Sequence, residues 1–201
     1  MNLPPELKKL YSALKTPAKI QDYVNTLLMR QTGKEPYVQS PLLVAQTTSA
    51  TCMEGALFAL SVLSAQKYQA WLLDLKVDPK NTKDVDHVIA VFKQNGYYGA
   101  ISKTAHAVLR YREPIYKTVR ELVLSYFHEY FLDDGTKTLR SYSKLFSIPK
   151  KYRDEWVLTH EDLFELAFEL DVSPHYPIIP KHAIRTLRKA DRIEITAGKI
   201  T

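Results

Sequence analysis

The chain has 201 residues, of which 45% are hydrophobic and 25% charged, an ordinary composition for a globular domain with a hydrophobic core. Its formal net charge of +6 comes from basic residues spread along the chain rather than clustered, so nucleic acid is not the expected partner. The sequence shows no apolar signal segment near Met1 and no uncharged run close to the roughly 18 residues that span a bilayer. We therefore expect a cytoplasmic protein without a membrane partner.

The N-terminal quarter of the chain predicts two helices and then a loop. Residues 4–15 place leucines and a tyrosine at helical spacing. Thr16 and Pro17 form a helix start, a hydroxyl cap followed by a proline in the first turn, and this helix is expected to reach about Arg30. Residues 31–50 contain a glycine, two prolines and a Gln-Thr-Thr-Ser run, which together predict a loop.

A buried helix and a buried strand are predicted next. Residues 52–66 are apolar almost all round, as is typical of a central helix, and the hydroxyl residues Ser49 and Thr51 are caps before it. Residues 69–75 form an apolar run that predicts a buried strand. Residues 76–86 are polar and include a proline, so they predict a surface loop.

The clearest local signal in the chain is a β-hairpin. Residues 87–93 and 97–103 are β-rich runs joined across an Asn-Gly pair. A two-residue type I′ turn needs positive φ at both central positions, which Asn and Gly tolerate. This turn places Gln94 opposite Tyr97.

The second half of the sequence predicts mainly helices. A run with helical spacing begins at Pro114 and continues to about residue 131. Thr159 is the predicted cap of a helix over residues 163–170, and a last helix is expected from Pro180 to about Ile193.

Cys52 is the only cysteine, which excludes an intramolecular disulfide, and it stands at the predicted start of the central helix. A helix start offers positive partial charge and free N–H groups, both of which favour a reactive thiolate. His87 begins the next predicted hairpin and is placed to take the thiol proton as a general base. The alternatives are a cysteine that packs as a small hydrophobe and a histidine with an ordinary structural hydrogen bond.

The order of these segments resembles the core of the transglutaminase-like superfamily, whose fold is similar to that of papain-like cysteine proteases. The resemblance rests on TCMEGALFALSVL, QAWLLDL, DHVIAVF and YYGAIS, and it covers residues 46–103. Segments beyond it, such as LRYREPIYKTVRELVLSYF, are similar to an uncharacterised bacterial transglutaminase-like family. The resemblance to the transglutaminase-like superfamily implies an α+β fold in which a Cys-bearing central helix packs on a small antiparallel sheet, with helical N- and C-terminal extensions.

The resemblance also implies roles for particular residues. Cys52 matches the nucleophile and His87 the base. Gln46 lies six residues before Cys52, the offset at which papain-like enzymes place a glutamine that stabilises the oxyanion. Enzymes of this type usually carry an Asp or Asn on the strand after the histidine, and this sequence has no carboxylate from Asn95 to Lys103.

The hairpin register identifies what stands in place of that carboxylate. His87 is expected opposite Thr104, with Ser102 as its diagonal neighbour on the same face of the sheet. A hydroxyl can hold an imidazole in one tautomer but cannot stabilise imidazolium as a carboxylate does. Three alternatives stay open: a reduced or specialised activity, assistance from Asp84 or Asp86, or an inactive site.

We expect a single domain over residues 1–201, composed of N-terminal helices and a loop (1–45), a catalytic-type core (46–104) and a mainly helical extension (105–201). The expected function is acyl transfer from an amide or peptide substrate through a Cys52 thioester, with hydrolysis, deamidation and transamidation not distinguished. The alternative is a catalytically silent module of the same fold that binds or scaffolds a partner. The six histidines show no metal-ligand spacing with the cysteine, so neither a metal nor a cofactor is expected. The sequence does not indicate an oligomeric state.

Overall fold

Helices on both faces of a six-stranded sheet make up the fold of this protein, described by a computed structural model over residues 3–31, 37–80 and 83–198. The α-helices within those ranges are α1 (Pro5–Ala13), α2 (Pro17–Thr26), α3 (Pro41–Thr47), α4 (Cys52–Ala65), α5 (Val119–Phe127), α6 (Glu155–Leu158), α7 (Phe164–Asp171) and α8 (Arg192–Gly198). The strands there are β1 (Leu28–Met29), β2 (Ser49–Ala50), β3 (Gln69–Val77), β4 (His87–Gln94), β5 (Tyr97–Ile101), β6 (Arg112–Tyr116), β7 (Leu139–Ser143) and β8 (His175–Pro177).

The large sheet has the strand order β6-β5-β4-β3-β7-β8, and all its neighbouring strands are antiparallel. The β4–β5 hairpin pairs Gln94 with Tyr97, which confirms the register expected from the Asn-Gly turn. Asn95 and Gly96 have φ values of 51° and 86°, as a type I′ turn requires. The short strands β1 and β2 form a separate parallel pair, and β2 leads directly into α4. The expected α+β class is confirmed.

The central helix α4 is buried along nearly its whole length, as its uniformly apolar sequence predicts. It packs on one face of the sheet together with α1 and α2, and the buried side chains of this layer include Ile20, Leu57, Phe58, Leu72, Ala90 and Phe92. The other face is covered by α5, whose layer includes Leu73, Ile89, Val91, Leu122 and Tyr126. The sheet is therefore buried on both sides, and this explains the continuous apolar runs of β3 and β4.

Two expectations for the N-terminal part were wrong in detail. The second helix ends at Thr26 instead of continuing to Arg30, because the chain turns there into β1. The loop expected over residues 31–50 contains α3 and β2, although its residues 32–36 lie outside the described residues. Ser40 accepts a hydrogen bond from the backbone of the first turn of α3, the same hydroxyl-then-proline signal that starts α2.

The extension over residues 105–201 has the expected helices, but it also contains strands that were not expected. That region supplies β6, β7 and β8, so the sheet is larger than the small one expected. The run from Pro114 begins as strand β6, and the helix starts only at Val119, where Thr118 and Glu121 form a capping box. The last predicted helix is a 3₁₀ turn over Lys181–Thr186 followed by α8. Helical spacing alone did not distinguish these short elements from one long helix.

Gly55 lets the first turn of α4 lie directly against the residues that follow β5. A β-carbon added at Gly55 would stand 2.4 Å from the β-carbon of Lys103, closer than two such atoms can approach. The Lys103 ammonium group donates to the carbonyl of Leu27, which holds this contact in place.

We expect Gly55→Ala to destabilise the fold by about 1–3 kcal/mol, because the new methyl group pushes α4 away from Lys103. Urea unfolding of Gly55→Ala, Lys103→Gly and the double variant measures the effect. In the double variant the methyl group meets no β-carbon, so the penalty of Gly55→Ala should shrink in the Lys103→Gly background. An equal penalty in both backgrounds would show that the contact is not its cause.

Candidate active site

Cys52 and His87 both line a cavity of about 580 Å³ at the end of the sheet where β4 begins. Its walls come mostly from residues at the ends of elements, including Tyr130 just after α5 and His106 after β5. The structure therefore brings the two residues chosen from the sequence to one cavity. They reach it from different layers, because His87 pairs with Leu75 of the α5 layer whereas α4 packs on the opposite face.

Cys52 is the first residue of α4, as predicted from its place after the cap residues. Burial raises the pKa of its thiol, and the negative charge of Asp74 adds to this effect. Hydrogen bonds from the backbone N–H groups of Val88 and Met53 act in the opposite direction. The sulfur thus lies beside the first residues of β4, and the effect of burial on its pKa exceeds that of the N–H groups at the helix start.

The start of α4 is fixed by the buried carboxylate of Glu54. Thr51 and Glu54 form a capping box, in which the side chain of each accepts a hydrogen bond from the backbone N–H of the other. The same carboxylate accepts hydrogen bonds from the Arg30 guanidinium and from the backbone N–H of Gln39. Arg30 lines the cavity as well, so one ionic network joins the cavity wall to the residues that flank Cys52.

His87 is buried, and its Nε2 lies 2.7 Å from the hydroxyl oxygen of Ser102. The diagonal contact expected from the hairpin register is therefore present. With Nε2 occupied, Nδ1 is the ring nitrogen left to exchange a proton. Burial lowers the pKa of His87 to about 4, and the nearby His106 adds to this shift, so the imidazole is neutral at pH 7.

Gln21 on α2 holds the backbone of Ser102. Its side-chain oxygen accepts a hydrogen bond from the Ser102 N–H at 2.9 Å, and its side-chain nitrogen donates to the Ser102 carbonyl at 2.9 Å. Just after the end of β5, the side-chain amide of Gln21 thus makes the two backbone hydrogen bonds that a neighbouring strand would otherwise make with Ser102. The sequence carries no signal for this role, since the two residues are 81 positions apart.

Neither Thr104 nor Gln46 lies where its expected role in the site would require. Thr104 lines the cavity, but the ladder between β4 and β5 ends at Ala90 and Ile101, and its hydroxyl accepts a hydrogen bond from the His106 N–H. Gln46 is exposed on α3 and is not among the residues that line the cavity. The loop geometry that would carry Gln46 to the thiol is replaced by a helix that carries it outward.

Asp84 and Asp86, the carboxylates considered as helpers of His87, both line the cavity. Asp84 accepts hydrogen bonds from the Thr138 hydroxyl and from the backbone of the next residue. Asp86 accepts a hydrogen bond from the backbone N–H of Val77 at 2.9 Å. These bonds fix the segment that leads into β4, and they do not connect either carboxylate to the imidazole.

A second polar cluster on the α4 side of the sheet was not anticipated from the sequence. Asp74 of β3 is buried and accepts a hydrogen bond from His175 Nε2 at 3.1 Å, while its other oxygen has no partner within the described chain. Burial, with a smaller effect of Asp86, raises the Asp74 pKa to about 6. Asp74, Asp86 and Asp171 bring carboxylate oxygens within 4.8 Å of one another, and the Lys76 ammonium, 2.7 Å from Asp171, supplies positive charge there.

No model of a known protein family matches the chain, and a search of curated proteins finds no match. Within the described ranges, none of the helices is both long enough and apolar enough to cross a membrane.

The low pKa of His87 predicts a pH-dependent loss of stability that His87→Gln should remove. Below about pH 6.5 the unfolded chain takes up a proton on this histidine, and the folded protein does so only near pH 4. Over this window the wild-type protein should lose about 3 kcal/mol of its free energy of unfolding relative to the variant. Urea unfolding at intervals from pH 7 to pH 4 measures the difference.

His182→Gln is the matched control, because His182 is exposed and is not among the residues that line the cavity. Asp74 contributes a slope of opposite sign, since its raised pKa gives stability below pH 4 that is lost as the pH rises through about 6. That contribution is common to wild type and variant and cancels in their difference. Parallel pH profiles for wild type and His87→Gln would contradict the prediction.

Proposed function

We propose that this protein is a transglutaminase-like cysteine enzyme that transfers the acyl group of an amide or peptide through a thioester on Cys52. The single observation that supports the proposal is the shared cavity: Cys52 at the start of a buried helix and His87 at the start of the adjacent strand both line it. The hydrogen bond between His87 and Ser102 supports it further, because it orients the imidazole and leaves Nδ1 for proton transfer.

In the proposed reaction the Cys52 thiol gives its proton to Nδ1 of His87 as the sulfur attacks the amide carbonyl. The S–C bond forms, the C–N bond breaks, and the imidazolium returns the proton to the departing amine. Water or an amine then attacks the thioester and releases the thiol. Ser102 accepts a hydrogen bond from Nε2–H and keeps the imidazole in the required tautomer.

The oxyanion of this reaction has candidate donors in the first turn of α4. The N–H groups at a helix start lack partners within the helix, and those of Cys52 and Met53 both act on the sulfur. An acyl group bound to that sulfur would place its oxygen near the same donors. This assignment replaces the side-chain amide of Gln46, which α3 carries to the surface.

The alternative is a catalytically silent module of the same fold that uses the cavity to bind a partner. The electrostatics favour this alternative, because the thiol pKa is raised and the imidazole pKa is lowered to about 4, so a resting thiolate–imidazolium pair is disfavoured. The approach of the two groups from opposite layers favours it as well. The two functions differ in whether His87 accelerates the chemistry of Cys52.

The rate of iodoacetamide labelling of Cys52 as a function of pH separates the two functions. If His87 acts as the base, the wild-type rate should be nearly flat from about pH 5.5 to 7.5, because the imidazole stays neutral there. His87→Gln should be at least tenfold slower near pH 7, and its rate should rise about tenfold per pH unit, as for an unassisted thiol. Ser102→Ala should fall between the two.

The control for this series is His182→Gln, which should label like the wild type. A p-nitrophenyl ester serves as an acyl donor in the same proteins: the enzyme should release about one equivalent of p-nitrophenolate in a burst that Cys52→Ala abolishes. Equal labelling rates in wild type and His87→Gln, together with no burst, would leave the binding module as the function.

A further inference from the structure

Helix α7 carries an apolar stripe on its solvent side in addition to the apolar face that it buries. Leu166 and Leu170 are buried against the core of the α4 layer. On the outer side, the side chains of Phe164, Phe168 and Val172 are 42%, 52% and 59% exposed. Their spacing of four residues aligns them on one face of the helix, along roughly 12 Å. A surface helix ordinarily has a polar outer face, so two exposed phenylalanines and a valine in line are unusual.

This stripe is continuous with the cavity of Cys52. Phe164, at its first position, is one of the residues that line the cavity, as is Ala167 on the next turn. The stripe therefore begins at the wall of the cavity and continues along α7 beyond it. A polypeptide chain with one residue at Cys52 would be able to follow it.

The surroundings of the stripe are acidic in a chain whose formal net charge is +6. Residues 159–172 contain five carboxylates and neither lysine nor arginine. Lys151 contacts Glu165 and Glu169, and Lys76 contacts Asp171, so the segment keeps a negative charge after these pairs are counted. The glutamates are well placed to flank an occupant, since the Glu165 side chain is 77% exposed.

We propose that α7 is a docking surface for the polypeptide substrate, and that it recognises a segment with apolar side chains flanked by lysine or arginine. This inference rests on the proposed function, which it deepens by naming the substrate class. An extended chain rises about 3.3 Å per residue, so the stripe accommodates roughly four residues beside the reacting amide. Apolar contact with Phe168 and Val172 supplies affinity, and the carboxylates select against acidic segments.

A random 12-residue peptide library displayed on phage, selected on the Cys52→Ala protein, tests the proposal. The enriched peptides should combine at least two apolar residues with lysine or arginine. Resynthesised with a fluorophore, they should bind Phe168→Ser/Val172→Ser at least tenfold more weakly in an anisotropy titration. Glu165→Lys should also weaken binding, and added salt should reduce the difference that it makes.

Ile115→Ser is the matched control, because Ile115 is an apolar residue that is 66% exposed at a distance from α7. It lies on the edge strand β6, which is separated by β5 and β4 from β3, the strand on which α7 packs. The Ile115→Ser protein should bind the peptides like the parent protein. Thermal unfolding should be nearly unchanged in all three variants, since the altered side chains are largely solvated. Failure to enrich any such peptide, or equal binding by the parent and Phe168→Ser/Val172→Ser, would overturn the proposal.

Three further outcomes distinguish this inference from the proposed function and from self-association. In the first, peptide binding depends on α7, but His87→Gln does not slow the labelling of Cys52. This result would support α7 as a docking surface and contradict the enzymatic function. In the second, His87→Gln slows the labelling of Cys52, but peptide binding does not depend on α7. This result would support the enzymatic function and overturn the proposal for α7. Sedimentation velocity that shows a dimer converted to monomer by Phe168→Ser/Val172→Ser would identify a second copy of the chain as the occupant and overturn the peptide proposal.

Discussion

The carboxylate of Glu54 has no exposed surface and receives four hydrogen bonds, two from the Arg30 guanidinium and one each from the backbone N–H groups of Gln39 and Thr51. A buried charge is tolerated only when it is paired and its lone pairs are occupied, and here both conditions are met. Because Thr51 is the cap of α4 and Gln39 lies just before α3, this one group joins the start of α4 to the segment that leads into α3. The end of α4 at which Cys52 stands is therefore held by that network.

The electrostatic state of the site follows from burial rather than from the helix start. The positive end of α4 favours a thiolate, but removal of the sulfur and of His87 from water disfavours charge on either group. The hydroxyl of Ser102 orients the imidazole without adding the negative charge that would stabilise its protonated form. The reaction proposed above would therefore start from a neutral pair and would transfer the proton as the sulfur attacks, which requires Nδ1 to be aligned with the thiol.

The features that could be predicted from the sequence are those that depend on local signals. The β4–β5 hairpin, the start of α4 at Cys52 and the contact of His87 with Ser102 follow from a turn, a cap and a register, all within short stretches of chain. By contrast, β7 pairs with β3 more than sixty positions away, and its sequence is polar enough to resemble a loop. Distant packing also produces the two hydrogen bonds between Gln21 and Ser102 and the hydrogen bond between Asp74 and His175. No pattern of residue spacing reveals these contacts.

The strand order has a consequence for how the chain folds during synthesis. The hairpin of β4 and β5 and its neighbour β3 are made early, but β3 has β7 as its other neighbour, and β7 in turn pairs with β8. Until residues 139–177 have left the ribosome, β3 presents an unpaired edge with Leu73 and Leu75 beside it. Pairing over such sequence separations is slow, so the second edge of β3 is covered only after the C-terminal strands are available to it. The strand that carries Leu73 and Leu75 is thus completed on one side by its own hairpin neighbour and on the other by a strand more than sixty positions later in the chain.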